Sequence, residues 1–581
     1  MLDFIRAAPF LPAINASHLR AVYAPSPGSR AEFPRGAKRP DIGARVFRSD
    51  HRAGASLPNP DAPRGHVACN ATANMRAIIA VGSLWLLACT GTIVDPGAGG
   101  GGGGDDDDDI VAPPDATPPA PDAAPVILPH ATGIRIRDVA LYQAVKVPLV
   151  DDGTALSDRN APIVEGAGAM IGVFVDLDAD WQAREVVGEL AIEVAPGDVR
   201  VYTVPRTIAA ASESDPFESG FAFVVDGADI TAHARVAVTL REATESASYP
   251  GSSDGARFPA AETDMLDLDA VSSNGPLELV LVPFQYNADG SGRMPPVDDE
   301  AVERYRKLFL AMYPVAEVNV TVREPVPYNS SIGSGSGWSS WLDRLTAIRD
   351  NDDPPPNAYY YGIASPRSTF SAYCSGGCII GLGWVPGRDD EYGRASVGVT
   401  FADSLGIYTS MHEVGHTMGR SHTPCGGPSG VDWSFPYSGG GVGVWGYDAV
   451  EQKLKSPSTY TDIMGYCNQQ WISDYTYNGI HSRVSYVNQL APAANTGGLF
   501  RVGLVDAAGD VTWTRTDSIQ SSVGGDQIAV ALLDEDGAEI GATTGRFYGY
   551  DHLPGGMLLV PVPDGDAPHA VRPDGMKSIA W

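Results

Sequence analysis

The sequence is poor in basic residues, and this deficit limits the partners that the protein can have. Its 581 residues contain 40 Lys and Arg against 71 Asp and Glu, which gives a formal net charge of −31 at pH 7. A charge of this sign repels phosphate groups, so nucleic acid and anionic membrane surfaces are excluded as the main partner. We expect a soluble, exported monomer.

Long apolar runs are also absent from the N-terminal region. The apolar run 77–89 is too short for a membrane-spanning helix. Met75 and Arg76 precede it, and together these residues are typical of a signal peptide at 75–89. The last four residues, Leu86-Leu87-Ala88-Cys89, resemble a bacterial lipobox, in which the cysteine is lipidated and becomes the new N-terminus. An ordinary signal peptide with a nearby cleavage site is the alternative.

The segments on either side of the signal peptide lack apolar periodicity. Residues 1–74 hold ten Lys and Arg against five Asp and Glu, so this segment carries +5 and the remainder −36. We interpret it as disordered or as a mis-assigned upstream translation. Residues 90–129 contain a glycine run at 99–104 and an aspartate run at 105–109. This composition predicts a solvated tether that holds a folded protein away from a membrane. The aspartates could bind Ca²⁺, although such runs are usually solvated spacers.

Histidine is scarce as well, with 11 in the chain, yet three of them lie within the segment 412–422. That segment reads H-E-x-x-H-x-x-G-x-x-H. On a helix, His412 and His416 project from one face, so both can bind one zinc ion at about 2.0–2.1 Å. Gly419 can end the helix in a left-handed conformation, after which His422 supplies a third ligand. Three neutral nitrogens with one open position are typical of a catalytic zinc site.

A second motif follows at Asp462-Ile463-Met464-Gly465-Tyr466. With the extended zinc motif it resembles the metzincin zinc endopeptidases, in which a methionine-containing turn lies beneath the metal. The resemblance covers 412–466 and leaves the subfamily open. It implies that Met464 supports the metal without binding it. The Met-x-Tyr pattern is similar to that of astacin- and serralysin-like metzincins, which implies that Tyr466 contacts zinc or the tetrahedral intermediate. A packed aromatic in the turn is the alternative reading of Tyr466.

The resemblance implies hydrolysis of peptide bonds with one zinc ion per chain. Zinc lowers the pKa of a bound water towards 7, and Glu413 accepts the proton of this water as the water attacks a peptide carbonyl. We expect extracellular proteins or glycoproteins as substrates, because a β domain before the catalytic domain is similar in layout to secreted bacterial proteases that cut mucin-type glycoproteins. A zinc-bound but inactive binding protein and a surface adhesin whose β domains carry the function are the alternatives.

Cysteine use also fits an exported protein. Besides Cys69 and Cys89 there are four cysteines, and an even number in an exported chain indicates disulfides. Four cysteines allow three pairings. If the resemblance brings both motifs to the metal, Cys425 and Cys467 are neighbours, so we expect Cys425–Cys467 and Cys374–Cys378. Free, buried thiols are the alternative for the first pair.

Periodicity divides the rest of the chain. Residues 130–272 alternate like strands and predict a β-sandwich; residues within 176–180 could bind Ca²⁺, or form only a polar turn. Residues 273–492 mix strands and helices and fit a central α/β metzincin-like catalytic domain, whose zinc helix should begin near Asp403 and Ser404. In this segment we expect strands at 277–284, 317–322, 358–363, 378–384 and 395–401, and helices at 298–313, 338–349 and 475–490, the first of them starting at Asp298. Residues 493–581 return to strand patterns and predict a small C-terminal β domain, which we interpret as a sandwich. The fold class is therefore multidomain. The predicted segments are 1–74, 75–89, 90–129, 130–272, 273–492 and 493–581.

Overall fold

The computed structural model describes residues 128–402, 406–491 and 498–581, and all of these lie in one compact unit, Asp115–Trp581. The upstream extension 1–74, the signal peptide 75–89 with Cys89, and the tether except for its last two residues lie outside the described residues. The described chain consists mostly of β-sheets, with six α-helices. None of the described helices is both long and apolar enough to cross a membrane.

Two antiparallel sheets form the N-terminal part of the described chain. Its elements are β1 (Ile134–Asp151), β2 (Thr154–Ala155), β3 (Ala169–Leu177), β4 (Arg184–Ala195), β5 (Asp198–Ile208), α1 (Pro216–Ser219), β6 (Phe221–Val225), β7 (Arg235–Glu242), β8 (Arg257–Phe258) and β9 (Leu266–Asp267), with a 3₁₀ turn at Gly227–Asp229. One sheet contains β1-β3-β6 with β2 on β1, and the other has the order β5-β4-β7-β8 with β9 on β7. In β4 every second side chain is buried, as expected for a strand with one face on a core.

The central part is built on a mixed sheet. Its elements are β10 (Leu277–Tyr286), α2 (Asp299–Met312), β11 (Val318–Val322), β12 (Val326–Tyr328), α3 (Trp338–Asp352), β13 (Ala358–Ala364), α4 (Phe370–Tyr373), β14 (Gly381–Gly383), β15 (Ala395–Val399), α5 (Ile407–Thr417) and α6 (Asp474–Val487). The strand order is β11-β10-β13-β15-β14, with β12 also pairing with β10. All these pairings are parallel except that of β14, which lies antiparallel at the edge. The sheet therefore ends in a short strand next to α5.

Both faces of this sheet are buried, and β10 shows why its sequence is almost continuously apolar. Leu279 and Leu281 point to a core that also contains residues of α2, α5, α6 and the N-terminal sheets. Val282 and Phe284 point to a second core shared with α3 and with C-terminal strands. Successive strand residues face opposite sides, so a strand covered on both sides needs apolar residues at nearly every position.

Most predicted elements of the central part are present with shifted ends. The helix expected from Asp298 is α2, and the Asp298 carboxylate caps it by accepting a hydrogen bond from Ala301 N at 2.9 Å. The strand expected over 378–384 is limited to β14. The zinc helix α5 begins at Ile407, directly after Gly406 with φ +54°. Asp403 and Ser404, where we expected its start, lie outside the described residues.

A hairpin between the two zinc-site motifs joins the first N-terminal sheet, which the sequence did not predict. Its strands are β16 (Gly446–Asp448) and β17 (Lys453–Lys455), and the full order of that sheet is β17-β16-β1-β3-β6. A small parallel pair follows, β18 (Thr461–Asp462) with β19 (Gln470–Trp471). Trp471 Nε1 donates to Ala144 O at 2.8 Å, so this region is attached directly to β1. The boundaries at 272 and 492 stay predictions.

The C-terminal strands form one continuous antiparallel sheet, in contrast to the two separate sheets of our sandwich interpretation. They are β20 (Gly498–Val505), β21 (Val511–Ile519), β22 (Asp526–Leu533), β23 (Glu539–Gly549), β24 (Gly556–Pro561), β25 (Ala570–Pro573) and β26 (Ile579–Ala580). The order is β21-β20-β24-β23-β22-β25-β26. The loop 550–555, between β23 and β24, reaches the candidate site described next.

Candidate metal centre

Helix α5 carries two of the three predicted metal ligands. His412 and His416 are both buried, and their Nε2 atoms are 3.0 Å apart. Nδ1 of His412 lies 2.7 Å from the carbonyl oxygen of Ile463, and Nδ1 of His416 lies 2.6 Å from that of Arg420. A carbonyl oxygen can only accept, so each Nδ1 must carry the proton. The lone pair of each Nε2 therefore points towards the centre.

The third histidine reaches the centre through a tight turn at Gly419. This residue has φ +79°, and a Cβ atom on it would lie 2.4 Å from Arg483 Nη2, so glycine suits the position. His422 is fully buried, with its Nε2 3.1 Å from that of His416. Its Nδ1 lies 2.7 Å from Ser429 O, which fixes the same tautomer as in the other two rings.

The three imidazoles fit a zinc ion. Tetrahedral ligands at 2.0–2.1 Å from zinc are about 3.3 Å apart, and the two Nε2 separations of 3.0 and 3.1 Å are close to this value. Burial is the main cause that lowers the pKa of His412 well below its usual value, and burial lowers the pKa of His422 to about 4. Neutral imidazoles whose lone pairs face one another without a proton between them are suited to a cation.

Glu413 lies beside these ligands, towards the edge strand β14. Gly381 on that strand leaves room for it, because a Cβ atom at 381 would lie 2.2 Å from Glu413 Oε1. Glu413 Oε2 is buried, and apart from the neighbouring Asp551 carboxyl group it has no hydrogen-bonding partner among the described residues. Burial first, and the Asp551 carboxylate second, raise the pKa of Glu413 well above its usual value. This carboxyl group is thus placed to exchange a proton with a water molecule at the centre.

Met464 lies under α5. It is fully buried, and a Cβ atom at Gly415 would lie 2.5 Å from its Sδ, so the glycine within the zinc motif lets the sulfur pack directly against the helix. Thr423 N donates to Met464 O at 3.0 Å and thereby attaches this turn to the segment after His422. Met464 thus packs against the helix that carries His412 and His416.

Tyr466 lies at the edge of the centre. Its ring centroid is 5.7 Å from that of His412 and 4.9 Å from that of His422. The residue is 45% exposed, which is the exposure of a cleft-lining side chain and not of a core aromatic. Tyr466 therefore lines the cleft next to His412 and His422.

Both predicted disulfides are present. Cys425–Cys467 joins the segment after His422 to the turn after Met464, and Cys374–Cys378 closes a short loop before β14; the Cα atoms are 5.6 Å apart in each. Backbone hydrogen bonds run beside the first disulfide, including one of 2.8 Å from Tyr466 N to Cys425 O. The two motifs are therefore linked covalently as well as by hydrogen bonds.

A cleft of about 450 Å³ opens in front of these residues. It is lined by Cys378, Ile379, Ile380, Gly381, Tyr408, Thr409, His412, Glu413, Gly465, Tyr466, Cys467, Asn468, Gln470 and His552. A groove of about 760 Å³ shares Ile380, Tyr408 and Thr409 with it and continues along α2 past Arg304 and Lys307. The metal centre is therefore open to ligands much larger than water on one side.

The sequence did not predict Asp551 and His552 at this centre. Both belong to the loop 550–555 of the C-terminal sheet, and Asp551 Oδ2 lies 3.3 Å from His416 Nε2 and 2.8 Å from His552 Nδ1. Their position more than 120 residues after the zinc motif follows no fixed spacing. The only available signal was the scarcity of histidine in the chain.

The structure gives no support to a calcium site. Among the described residues, the groups of at least three potential metal ligands all lie around the zinc motif and loop 550–555. Asp176, in the segment 176–180 that we considered for Ca²⁺, instead forms ion pairs with Arg135 and Arg137.

A comparison with known protein families agrees with this centre. The sequence model of the Peptidase M66 family, a zinc metallopeptidase family, matches residues 390–495. The matched segment contains the three histidines, Glu413 and the Met464 turn, and it ends before the loop 550–555. No curated protein matches the chain. The segment that carries the metal centre is thus similar to Peptidase M66, which indicates a zinc metallopeptidase.

Proposed function

We propose that this protein is a zinc-dependent endopeptidase that hydrolyses peptide bonds of extracellular proteins or glycoproteins. The observation that carries the proposal is the convergence of three imidazole lone pairs beside a buried glutamate in an open cleft. A structural zinc site would lie away from any cleft, and it would not need the glutamate. We further propose a metzincin-like catalytic fold between a β-sandwich domain and a C-terminal β domain.

The residues of the centre would have separate roles in peptide hydrolysis. His412, His416 and His422 would hold the zinc ion, which when bound supplies Lewis acidity and lowers the pKa of a water molecule. Glu413 accepts the proton of the attacking water and passes it to the leaving amine nitrogen. Tyr466 donates a hydrogen bond to the carbonyl oxygen as negative charge develops on it.

The edge strand supports a polypeptide substrate. Strand β14 pairs with β15 on one side, and Gly381 on β14 is adjacent to Glu413. An extended peptide that adds to such an edge makes main-chain hydrogen bonds irrespective of its sequence, while pockets for alternate side chains select among sequences. The groove that continues past Ile380 and Tyr408 offers such a pocket.

We also propose that the enzyme is exported and anchored to the outer membrane or cell surface through lipidated Cys89, with secretion as the alternative, and that it acts as a monomer. Two features support this proposal. The disulfides in the described residues are typical of oxidising compartments. The sequence also has a lipobox-like signal followed by a tether.

Metal content and cleavage together test the function. We expect about one zinc per chain by elemental analysis, loss of zinc in His422→Ala, and retained zinc with cleavage reduced by orders of magnitude in Glu413→Ala. His233→Ala and Glu535→Ala, at exposed positions, are the matched controls. Full zinc and full activity in His422→Ala would contradict the proposal. A zinc-loaded wild type that cleaves nothing in a peptide and glycoprotein library would favour the surface adhesin.

A further inference from the structure

The loop 550–555 of the C-terminal sheet occupies one end of the active-site cleft. Tyr550 forms an antiparallel bridge with Trp384, directly after the edge strand β14, and the two rings stack with centroids 5.1 Å apart. On the other side, Ser429 Oγ donates to His552 O at 3.2 Å. The loop thus lies between the edge of the mixed sheet and the segment that follows the third histidine.

Asp551 projects from this loop into the metal centre and is buried there, as its 7% exposure shows. Its Oδ2 lies 3.3 Å from His416 Nε2, which is the separation expected for two tetrahedral ligands of one zinc ion. Asp551 also forms one group of potential ligands with Glu413 and His416 and another with His422 and His552, with all ligand atoms in each group within 4.8 Å of one another.

The groups around Asp551 favour the binding of a cation. Nε2 of His416 carries no proton, so it cannot donate to Asp551 Oδ2 at 3.3 Å, and Asp551 Oδ1 is buried without a hydrogen-bond donor among the described residues. A divalent ion bound to both the His416 Nε2 lone pair and the Asp551 carboxylate would satisfy the two facing acceptors.

We propose that Asp551 is a fourth protein ligand of the zinc ion and holds the enzyme in a closed state. This inference rests on the zinc site proposed above. With three histidines and one aspartate bound, no position remains for water, and the pairing of Tyr550 with Trp384 blocks a substrate strand from extending past β14. A substrate that pairs along this edge displaces Tyr550 and with it Asp551, which opens the fourth position.

Opening involves the loop and not the whole C-terminal sheet. The sheet is held to the central part by buried polar contacts away from the metal, among them a hydrogen bond of 3.1 Å from Tyr548 Oη to Asp390 Oδ1 and one of 2.8 Å from Ser521 N to Asp350 Oδ1. Such contacts are costly to break one at a time. The loop 550–555 instead connects two strands that remain paired, so it can move while β23 and β24 stay in place.

Cobalt-loaded protein tests the proposal without relying on activity. The variant Asp551→Asn keeps the shape of the side chain but replaces a good ligand by a poor one. We expect Co²⁺ affinity at least tenfold lower than in wild type, and a visible absorption spectrum changed by entry of water. The matched control Asp390→Asn removes a buried carboxylate from the same interface and should change neither property. Identical Co²⁺ affinity and spectrum in wild type and Asp551→Asn overturn the inference.

The Co²⁺ spectrum of wild type keeps the test valid if Asp551→Asn does not fold, and a titration with acetohydroxamate adds a second comparison if it does. This bidentate ligand must displace Asp551 in wild type, so its addition should change the Co²⁺ spectrum only at concentrations at least tenfold higher than for Asp551→Asn. In wild type alone, the spectrum before addition should be that of a site with four protein ligands and no water. A water-bound spectrum in wild type contradicts the closed state. A wild type that binds no metal contradicts the proposed function itself, so the two failures are distinguishable.

Discussion

Removing the Cys425–Cys467 disulfide should weaken both the fold and the metal centre, whereas removing Cys374–Cys378 should affect stability alone and by less. The first spans 42 residues and the second four. The chain-entropy model gives about 4 kcal/mol for the longer loop and about 2 kcal/mol for the shorter one. The comparison of the two double variants, Cys425→Ala/Cys467→Ala and Cys374→Ala/Cys378→Ala, therefore has an internal control.

The expected effect on zinc comes from the contacts that remain. Without the disulfide, the two motifs are still joined by the hydrogen bonds from Thr423 N to Met464 O and from Tyr466 N to Cys425 O. The His422 imidazole would keep its average position but would move more. The effect should resemble the loss of a second group that orients a metal ligand. We expect zinc affinity to fall about 10- to 100-fold. Chelator competition measures the affinity, and urea unfolding measures the stability. Equal stability losses in the two variants, together with unchanged zinc affinity, would refute this reasoning.

Three further predictions follow from the same residues. Between pH 6.5 and pH 4 the unfolded chain binds a proton at His422 that the folded, metal-free protein excludes, so the free energy of unfolding should fall as pH falls, by about 3 kcal/mol for this group. Urea unfolding of metal-free wild type and His422→Gln at pH 7 and pH 4.5 checks this prediction. An equal pH dependence of the unfolding free energy in both proteins would contradict it. Tyr466→Phe should retain zinc and lower kcat about 10²- to 10³-fold with little change in KM, as for loss of a donor to a developing oxyanion; an unchanged kcat would leave Tyr466 a lining residue only. Intact mass of the native protein should correspond to a chain that begins at lipidated Cys89, and a mass that includes residues before Met75 would refute the proposed start.

Local chemistry made the centre of this protein predictable from sequence. The spacing of His412 and His416 needs only a helix, and the return of His422 needs only a residue that tolerates a positive φ at 419, so three ligands could be placed without knowing the fold. The helix α2 was predictable for the same reason, because its cap at Asp298 and its apolar spacing are both local. The ends of strands were harder to predict from sequence, because they depend on where a neighbouring strand provides hydrogen bonds. Residues 378–384 are apolar throughout, yet only Gly381–Gly383 find a partner strand.

Contacts between distant segments were not predictable. The loop 550–555 carries neither a repeat nor a spacing that relates it to the zinc motif, and Asp551 looks like an ordinary polar turn residue after a strand. The hairpin β16–β17 was missed for a similar reason, since strands of three residues with several polar side chains have too short a pattern to be distinguished from loop. In both cases tertiary packing supplies the information.

The path of the chain through that hairpin shows how the first N-terminal sheet supports the metal centre. Between His422 and Met464 the chain leaves the centre, adds β16 and β17 to the sheet of β1, and returns to place the methionine turn. The segment after the turn is held by the hydrogen bond from Trp471 Nε1 to Ala144 O, and Ala144 is also paired with Tyr447 on β16, before the turn. The methionine turn presents Ile463 O to His412, so the orientation of this imidazole depends on a segment anchored to β1. The first N-terminal sheet is thus part of the support of the metal ligands, and not only a neighbouring module, because the loop that orients one ligand is fixed at both of its ends by that sheet.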